Sequence, residues 1–284
     1  MEKGFEISCN DIIEKLEEKS PRAYACDWDN VGLLLGRRDK KVNRIMVALD
    51  ATMEVVKTAC EEECDMLITH HPLIFSSVKR ITDDNILGKK LLMLAEHSIS
   101  YYAMHTNFDT MGSMAGAVTD VYLGLESKAP IEKCDIPEEG MGRIAYLPQP
   151  MTGDEVCEYI KERLELSQVT FYPATPDGEE IPSDKKFHKI AVMPGSGKSF
   201  IDNVVDAGCD LYLTGDMGYH EAQNATELGL SIIDATHDGL EKVFAGYIAE
   251  YLKGCLPLED IDDANKGPNL CNIPYFVILQ RTDN

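Results

Sequence analysis

The stretch RIMVALDATMEVVKTACEEECDMLITHH (Arg44–His71) decides the fold. It opens on a short apolar run, passes through a segment whose apolar positions recur at helical spacing, and closes on a second apolar run, which reads as strand, helix, strand. The pattern repeats at once in NILGKKLLMLAEH (Asn85–His97) followed by ISYYAMH (Ile99–His105). The strand-like runs are nearly continuous in apolar residues rather than alternating, as expected where helices cover both faces of a sheet. The fold class is α/β.

Comparison of the two halves exposes a faint repeat. IMVALDAT begins at Ile45 and CDMLITHH at Cys64; IAVMPGSG begins at Ile190 and CDLYLTGD at Cys209, and both intervals are 19 residues (64 − 45 and 209 − 190). Each half then reaches a histidine with a carboxylate four residues later, His105 with Asp109 and His237 with Glu241. The sequence therefore predicts two similar α/β lobes, an internal duplication, with a metal site between them where strand ends meet. The expected boundaries are 1–125 for the first lobe, with 238–284 packing back on it, and 126–237 for the second. Between the halves, LPQPMTGDE (Leu147–Glu155) and YPATPDGEEIPSDKK (Tyr172–Lys186) read as surface loops around one helix, GDEVCEYIKERLEL. The tail Gly254–Pro268 reads as an acidic loop, and IPYFVILQ (Ile273–Gln280) as a last strand.

Composition narrows the function classes. At 284 residues, 44% hydrophobic and 27% charged, the chain is an ordinary globular one with room for two cores. The segment Met1–Ser20 is too charged for a secretory signal and reads as a polar-faced helix, and no run approaches the ~20 apolar residues of a membrane span. Nine cysteines without a regular framework argue for free thiols in a reducing compartment, hence the cytoplasm. Cys60 and Cys64 read as buried structural thiols rather than a redox pair. A net charge of −22 repels phosphate backbones, so no nucleic-acid partner is expected.

The chemistry concentrates at strand ends. In ITHHPLIF (Ile68–Phe75) two adjacent imidazoles must each find hydrogen-bond partners or a metal to leave water. An isolated pair is as readily a satisfied strand end, so further donors decide the matter. Here His70, His71, His105, Asp109, His237 and Glu241 all stand at the ends of predicted strands or just beyond. Nitrogen and oxygen donors in that number suit a dinuclear centre of Zn, Fe, Mn or Co and argue against a zinc–thiolate knot. His70 and His71 would point oppositely in a regular strand, which would let the rings serve two ions, while Pro72 marks the strand's end. A helix beginning near Asp238 would put His237 and Glu241 on one face. GSGKS (Gly195–Ser199) lacks the first glycine of a P-loop, because Val192 stands there.

Five motifs in order, CDWDNVGLLLG (Cys26–Gly36), ITHHPLIF, HTNFD (His105–Asp109), LTGDMGYHEA (Leu213–Ala222) and THDGLE (Thr236–Glu241), resemble the Nif three-like family of GTP cyclohydrolase 1 type 2 homologs. The resemblance spans residues 26–241. It implies a dinuclear centre between two α/β lobes and a ring-shaped homohexamer whose centres face an internal cavity. By motif position the metal ligands are His70, His71, Asp109, His237 and Glu241, with His105 beside them. Two departures stand out: the family usually has Gly at Thr236 and an aromatic residue at Asp238, so the wider threonine and the added charge are expected to tilt the His237 ring or bind a water. The larger inserted domain of longer members is also missing.

The expected activity is hydrolysis of a small-molecule, nucleotide-type substrate, by GTP cyclohydrolase or phosphoester chemistry, through a metal-bound hydroxide and two divalent ions per chain. His105, where it is not itself a ligand, is the catalytic proton shuttle, because histidine exchanges protons near neutral pH. Lys79 and Arg80 are the nearest basic residues able to meet a triphosphate, and Asn30 lines the family's cavity. His220, four residues after Asp216, either forms a second polar pair with it or the two merely cap a helix. Asp27 and Asp29 read as Asx-turn residues. The alternative is a non-catalytic metal-binding, metal-delivery or interaction protein.

Overall fold

The computed structural model describes residues 6–136, 138–260 and 276–280. Contacts divide the chain into two units, Met1–Phe108 with Phe244–Asn284, and Asp109–Val243. In chain order the first unit holds α1 (Cys9–Lys19), β1 (Gly32–Leu35), β2 (Arg44–Ala48), α2 (Met53–Glu61), β3 (Met66–Thr69), α3 (Ile86–Glu96) and β4 (Ser100–Ala103). Helix α4 (Thr106–Thr110) leads into the second unit, with α5 (Ser113–Gly116), a π-helical turn (Ala117–Tyr122), β5 (Glu126–Ala129), the ribbon β6 (Glu132–Lys133) and β7 (Gly140–Met141), and β8 (Arg143–Met151). It continues through α6 (Gly153–Leu164), β9 (Thr170–Tyr172), β10 (Phe187–Ser196), α7 (Ile201–Asp206), β11 (Leu211–Gly215), α8 (Tyr219–Glu227), β12 (Ser231–Asp234) and α9 (His237–Glu241). Then α10 (Val243–Cys255), β13 (Leu258–Asp260) and β14 (Phe276–Gln280) return the chain to the first unit.

The two sheets have one plan. The first runs β1-β4-β3-β2-β14-β13 and the second β9-β12-β11-β10-β8-β5. In each, three inner strands are parallel and joined by helices, as parallel pairing requires, and the flanking strands are antiparallel. Registers agree as well. Ile45 lies opposite Met66 and Met66 opposite Ser100, just as Ile190 lies opposite Leu211 and Leu211 opposite Ser231. The helices before β1 and β9 even open alike, on capping boxes at Ser8 with Asp11 and at Thr152 with Glu155. Along the chain, α1 to β8 and α6 to β14 are thus two passes through one succession of elements. The antiparallel pair closing the first pass, β5 and β8, belongs to the second sheet, and the pair closing the second pass, β13 and β14, belongs to the first.

Burial follows the continuous apolar runs: β3, β4 and β11 are buried at every residue. In the first unit Met46, Leu67 and Tyr101 pack with Val56 of α2 and Leu94 of α3; in the second, Ala191, Tyr212 and Ile232 pack with Val204 of α7 and Ala225 of α8. Strand residues one step along face the opposite side of the sheet.

Two expectations are corrected. The segment around LPQPMTGDE is not a loop, because β8 runs through it to Met151. Pro148 and Pro150 are tolerated there because β5 pairs with β8 only over Ile144 to Tyr146 and the register with β10 breaks between Tyr146 and Met151, and both prolines are exposed. The tail from Gly254 is not all loop either: α10 extends to Cys255, and Leu258–Asp260 pairs with β14. Residues 261–268 of that tail, and Ile273 to Tyr275 of the last expected strand, lie outside the described residues. Among the described residues no helix is long and apolar enough to cross a membrane.

Candidate metal centre

In the first unit β3 stops at Thr69, and a knot of hydrogen bonds turns the chain just beyond it. The backbone N–H groups of His70 and His71 both donate to the Leu49 carbonyl, at 3.2 and 3.1 Å. Thr69 Oγ1 and the Tyr101 hydroxyl both lie on the His71 carbonyl, at 2.8 and 3.0 Å, and Leu73 N–H donates to the Tyr101 hydroxyl at 2.7 Å. The two rings therefore do not take opposite faces as a regular strand would have them. Their centroids are 5.0 Å apart, and the His105 ring, just past β4, stands 5.2 and 5.6 Å from them. One ring nitrogen from each of the three lies within 4.8 Å of the others.

Each ring is held from behind through Nδ1. His70 Nδ1 lies 2.6 Å from the Met104 carbonyl, His71 Nδ1 2.8 Å from Asp50 Oδ1, and His105 Nδ1 3.0 Å from both Asp29 oxygens. A carbonyl or carboxylate oxygen only accepts, so the hydrogen sits on Nδ1 and the lone pair on Nε2. That is the orientation of metal-ligating histidine, whose second nitrogen is fixed by a carbonyl or carboxylate. Asp29 is the most constrained of these acceptors. Its side chain is fully buried, and it also takes hydrogen bonds from Thr106 N–H at 3.0 Å and Thr106 Oγ1 at 2.6 Å. Burial pushes its pKa up, but the His105 and Thr106 hydrogen bonds outweigh it and hold the carboxyl at about 2.

The second unit builds a matching set after β12. Thr236 caps α9, its Oγ1 accepting from Gly239 N–H at 3.0 Å, and its own N–H donates to Asp234 Oδ1 at 2.9 Å. Within that short helix His237 Nε2 lies 3.0 Å from Glu241 Oε2, so the two donors share one face as expected. His237 Nδ1 lies 2.8 Å from Asp216 Oδ2, the same anchoring from behind. Glu241 is buried, and Gly195 makes room for it: a Cβ there would stand 2.4 Å from Glu241 Oε1.

Thr236 has φ 62° and ψ 158°, a region occupied almost only by glycine. That backbone suits the glycine the resemblance leads one to expect at this position, and here a β-branched side chain holds the strain. The charge on Asp238 is engaged locally, its Oδ1 accepting from Thr236 Oγ1 at 2.8 Å.

The other candidates stand as follows. Asp109 lies on α4, partly buried, four residues after His105. Asn30 ties down the loop after His71, Nδ2 donating to the Ile74 carbonyl at 2.6 Å. Lys79 and Arg80 are exposed in that loop. Asp216 turns to His237, while the His220 ring packs on Tyr219 at 5.1 Å. The backbone of GSGKS is engaged internally, Gly197 N–H donating to Thr214 Oγ1 and its carbonyl accepting from Tyr212, which is no phosphate cradle. The described cysteines are free thiols, and burial pushes Cys64 up to about 12. Sequence reasoning missed Asp50 and Gly195 and read Asp29 only as a turn residue. The repeat carried a signal for the first two, since each lies five residues past the matched start, at Ile45 and Ile190.

Two outcomes follow. Asp29, depressed from an ordinary 3.8 to about 2, contributes stability present above pH ~4 and lost as pH falls towards 2, worth about 2 kcal/mol. Urea unfolding should therefore show Asp29→Asn less stable than wild type at pH 6, with the gap narrowing by pH 3; a gap independent of pH would contradict this. Thr236→Gly removes a strained backbone costing on the order of 1–3 kcal/mol and gives up a cap worth a few tenths. Its urea midpoint should rise, and a fall would show that Thr236 is not strained.

Comparison with known proteins agrees with this architecture. The family model for Duf34/NIF3 (NGG1p interacting factor 3) matches residues 7–262. A Clostridium acetobutylicum protein named GTP cyclohydrolase 1 type 2 homolog is 35% identical over 253 residues, 88% of this chain and 91% of the relative. A Methanocaldococcus jannaschii protein of the same name is 32% identical, covering 90% of this chain and 98% of that one. Among solved structures, reduced HcgD from Methanocaldococcus jannaschii superposes with a TM-score of 0.74 at 31% identity, over 89% of this chain and 96% of that one. A Staphylococcus aureus hypothetical protein gives 0.77 at 26%, over 88% and 93%. With two matching six-stranded sheets and anchored histidine and carboxylate sets at their strand ends, the chain belongs to the DUF34/NIF3 family.

Proposed function

We propose that this protein is a metal-dependent hydrolase acting on a small nucleotide-like molecule, with two divalent ions held by His70, His71, Asp109, His237 and Glu241. The observation that carries the reading is the common anchoring: His70, His71, His105 and His237 all have Nδ1 on an oxygen acceptor, three of the four on carboxylates. Structural histidines need one such bond, but four rings anchored alike, with His237 Nε2 turned to the buried Glu241 carboxylate, give the donor chemistry of a metal set. Imidazole and carboxylate donors fit Zn, Fe, Mn or Co. When bound, such ions supply Lewis acidity and lower the pKa of a water from ~16 towards ~7.

The protein's own residues supply the proton chemistry. Asp29 stays ionised and keeps the hydrogen of His105 on Nδ1, so Nε2 can take a proton from an attacking water and return it to the leaving group. The relatives' name makes GTP the first substrate to try.

Elemental analysis of protein purified without oxygen should find about two divalent ions per chain. The double variant His70→Ala with His71→Ala should lose at least one, whereas full metal content there would overturn the assignment. His105→Asn should keep most of the metal and lose turnover by ~10²-fold or more. If it loses a metal instead, His105 is a ligand and the proton carrier lies elsewhere.

A further inference from the structure

Beside the three histidines of the first unit the surface carries two aromatic rings that nothing in the fold requires to be exposed. Trp28 is 59% exposed and Phe75 54%. Their centroids are 5.7 Å apart with the planes tilted by 42°, and the Trp28 centroid is 6.0 Å from that of His105. Exposed aromatic rings are ordinary when they swing freely on a surface loop. The backbone that carries these two is fastened.

Trp28 sits between two fastened neighbours. Ahead of it, Cys26 N–H donates to Thr106 Oγ1 at 2.9 Å; behind it, the buried Asp29 carboxylate grips His105 and Thr106. Asp29 N–H closes the turn on the Cys26 carbonyl at 2.9 Å. Phe75 is fastened from the same segment, through the bond from Asn30 to the carbonyl of its neighbour Ile74. One short stretch, Cys26 to Asn30, therefore orients His105 with one residue, presents an indole with the next, and positions a phenyl ring with a third. An apolar pair on fastened backbone, at the edge of a polar, proton-exchanging cluster, suits a ligand that is flat and apolar on its faces and polar at its edge.

We propose that Trp28 and Phe75 form a stacking seat for a planar heteroaromatic ring, holding the ring's polar edge at His105. The inference rests on the functional reading above in assigning His105 to the chemistry; the seat itself is a binding claim. Stacking on an aromatic side chain tolerates many bases, because every base has a π-face, so the seat selects for a ring rather than for a particular base.

Trp28 is the single tryptophan of the chain, so emission excited at 295 nm reports this site alone. The full-length, metal-loaded protein is titrated with guanosine, which offers the ring without phosphate, and with ribose, which offers neither. Guanosine should quench the emission saturably and ribose should not. Phe75→Ala should weaken guanosine binding by about 10-fold. By calorimetry Trp28→Ala should do the same, and elemental analysis should find its metal content unchanged. No saturable quenching in fully metallated protein overturns the seat and leaves the metal reading intact. A blue-shifted, concentration-dependent emission before any ligand is added also overturns it, because a second copy of the chain would then cover Trp28. If the protein holds no metal but guanosine still quenches, the metal reading fails and the seat stands.

Discussion

Everything at the candidate site depends on an oxygen atom behind each imidazole. A histidine ring left to itself rotates about χ2 and shares its hydrogen between two nitrogens. Here the Met104 carbonyl and the carboxylates of Asp50, Asp29 and Asp216 each take one Nδ1, which settles both tautomer and ring direction before any ligand arrives. The cost is that three carboxylates must remain ionised beside the site. For Asp29, fully enclosed, the hydrogen bonds from Thr106 meet that cost.

The fold gathers the rings and most of their acceptors at or near the ends of parallel strands, and Asp29 alone among the acceptors comes from the turn before β1. Asp50 follows β2, His70 and His71 follow β3, His105 follows β4; Asp216 follows β11 and His237 follows β12. Parallel strands joined by crossover helices gather their C-terminal ends along one edge of a sheet, and each edge collects one donor set. The repeated plan has been used differently in the two units. Where the first has Asp50, the second has Gly195, whose missing side chain admits Glu241. Where the first has His71, two residues past the last pair of β3 with β4 at Thr69, the second has Asp216, two residues past the last pair of β11 with β12 at Thr214. The same backbone position is thus a donor in one unit and an anchor in the other.

Much of this was legible in the sequence, and the reasons are physical. Continuous apolar runs at Met66–Thr69 and Leu211–Gly215 announce strands buried on both faces, and the 19-residue interval between paired strands survives because a crossover helix has little freedom in length. The spacing of His237 and Glu241 exposed their shared helical face. Other features were hidden. Prolines at 148 and 150 look like a break, and only the pairing of β8 shows that they lie past its contact with β5. The adjacent His70 and His71 obey strand alternation only if the strand continues, and the carbonyl of Leu49, which ends it, is invisible to periodicity. Asp29 and Asp50 are far in sequence from the histidines they hold, and a lone aspartate in a turn gives no sign of a partner 76 residues away.

The central claim is that these histidines are set, by their Nδ1 anchors, to bind a divalent ion through Nε2. Long-range ¹H–¹⁵N correlation spectra of histidine-labelled protein read each ring's tautomer directly. In metal-free protein, His70 and His71 should show the Nδ1–H form, and on addition of zinc their Nε2 resonances should shift while Nδ1 remains protonated. Rings found in the Nε2–H form, or Nε2 resonances unmoved by stoichiometric zinc, would contradict the account.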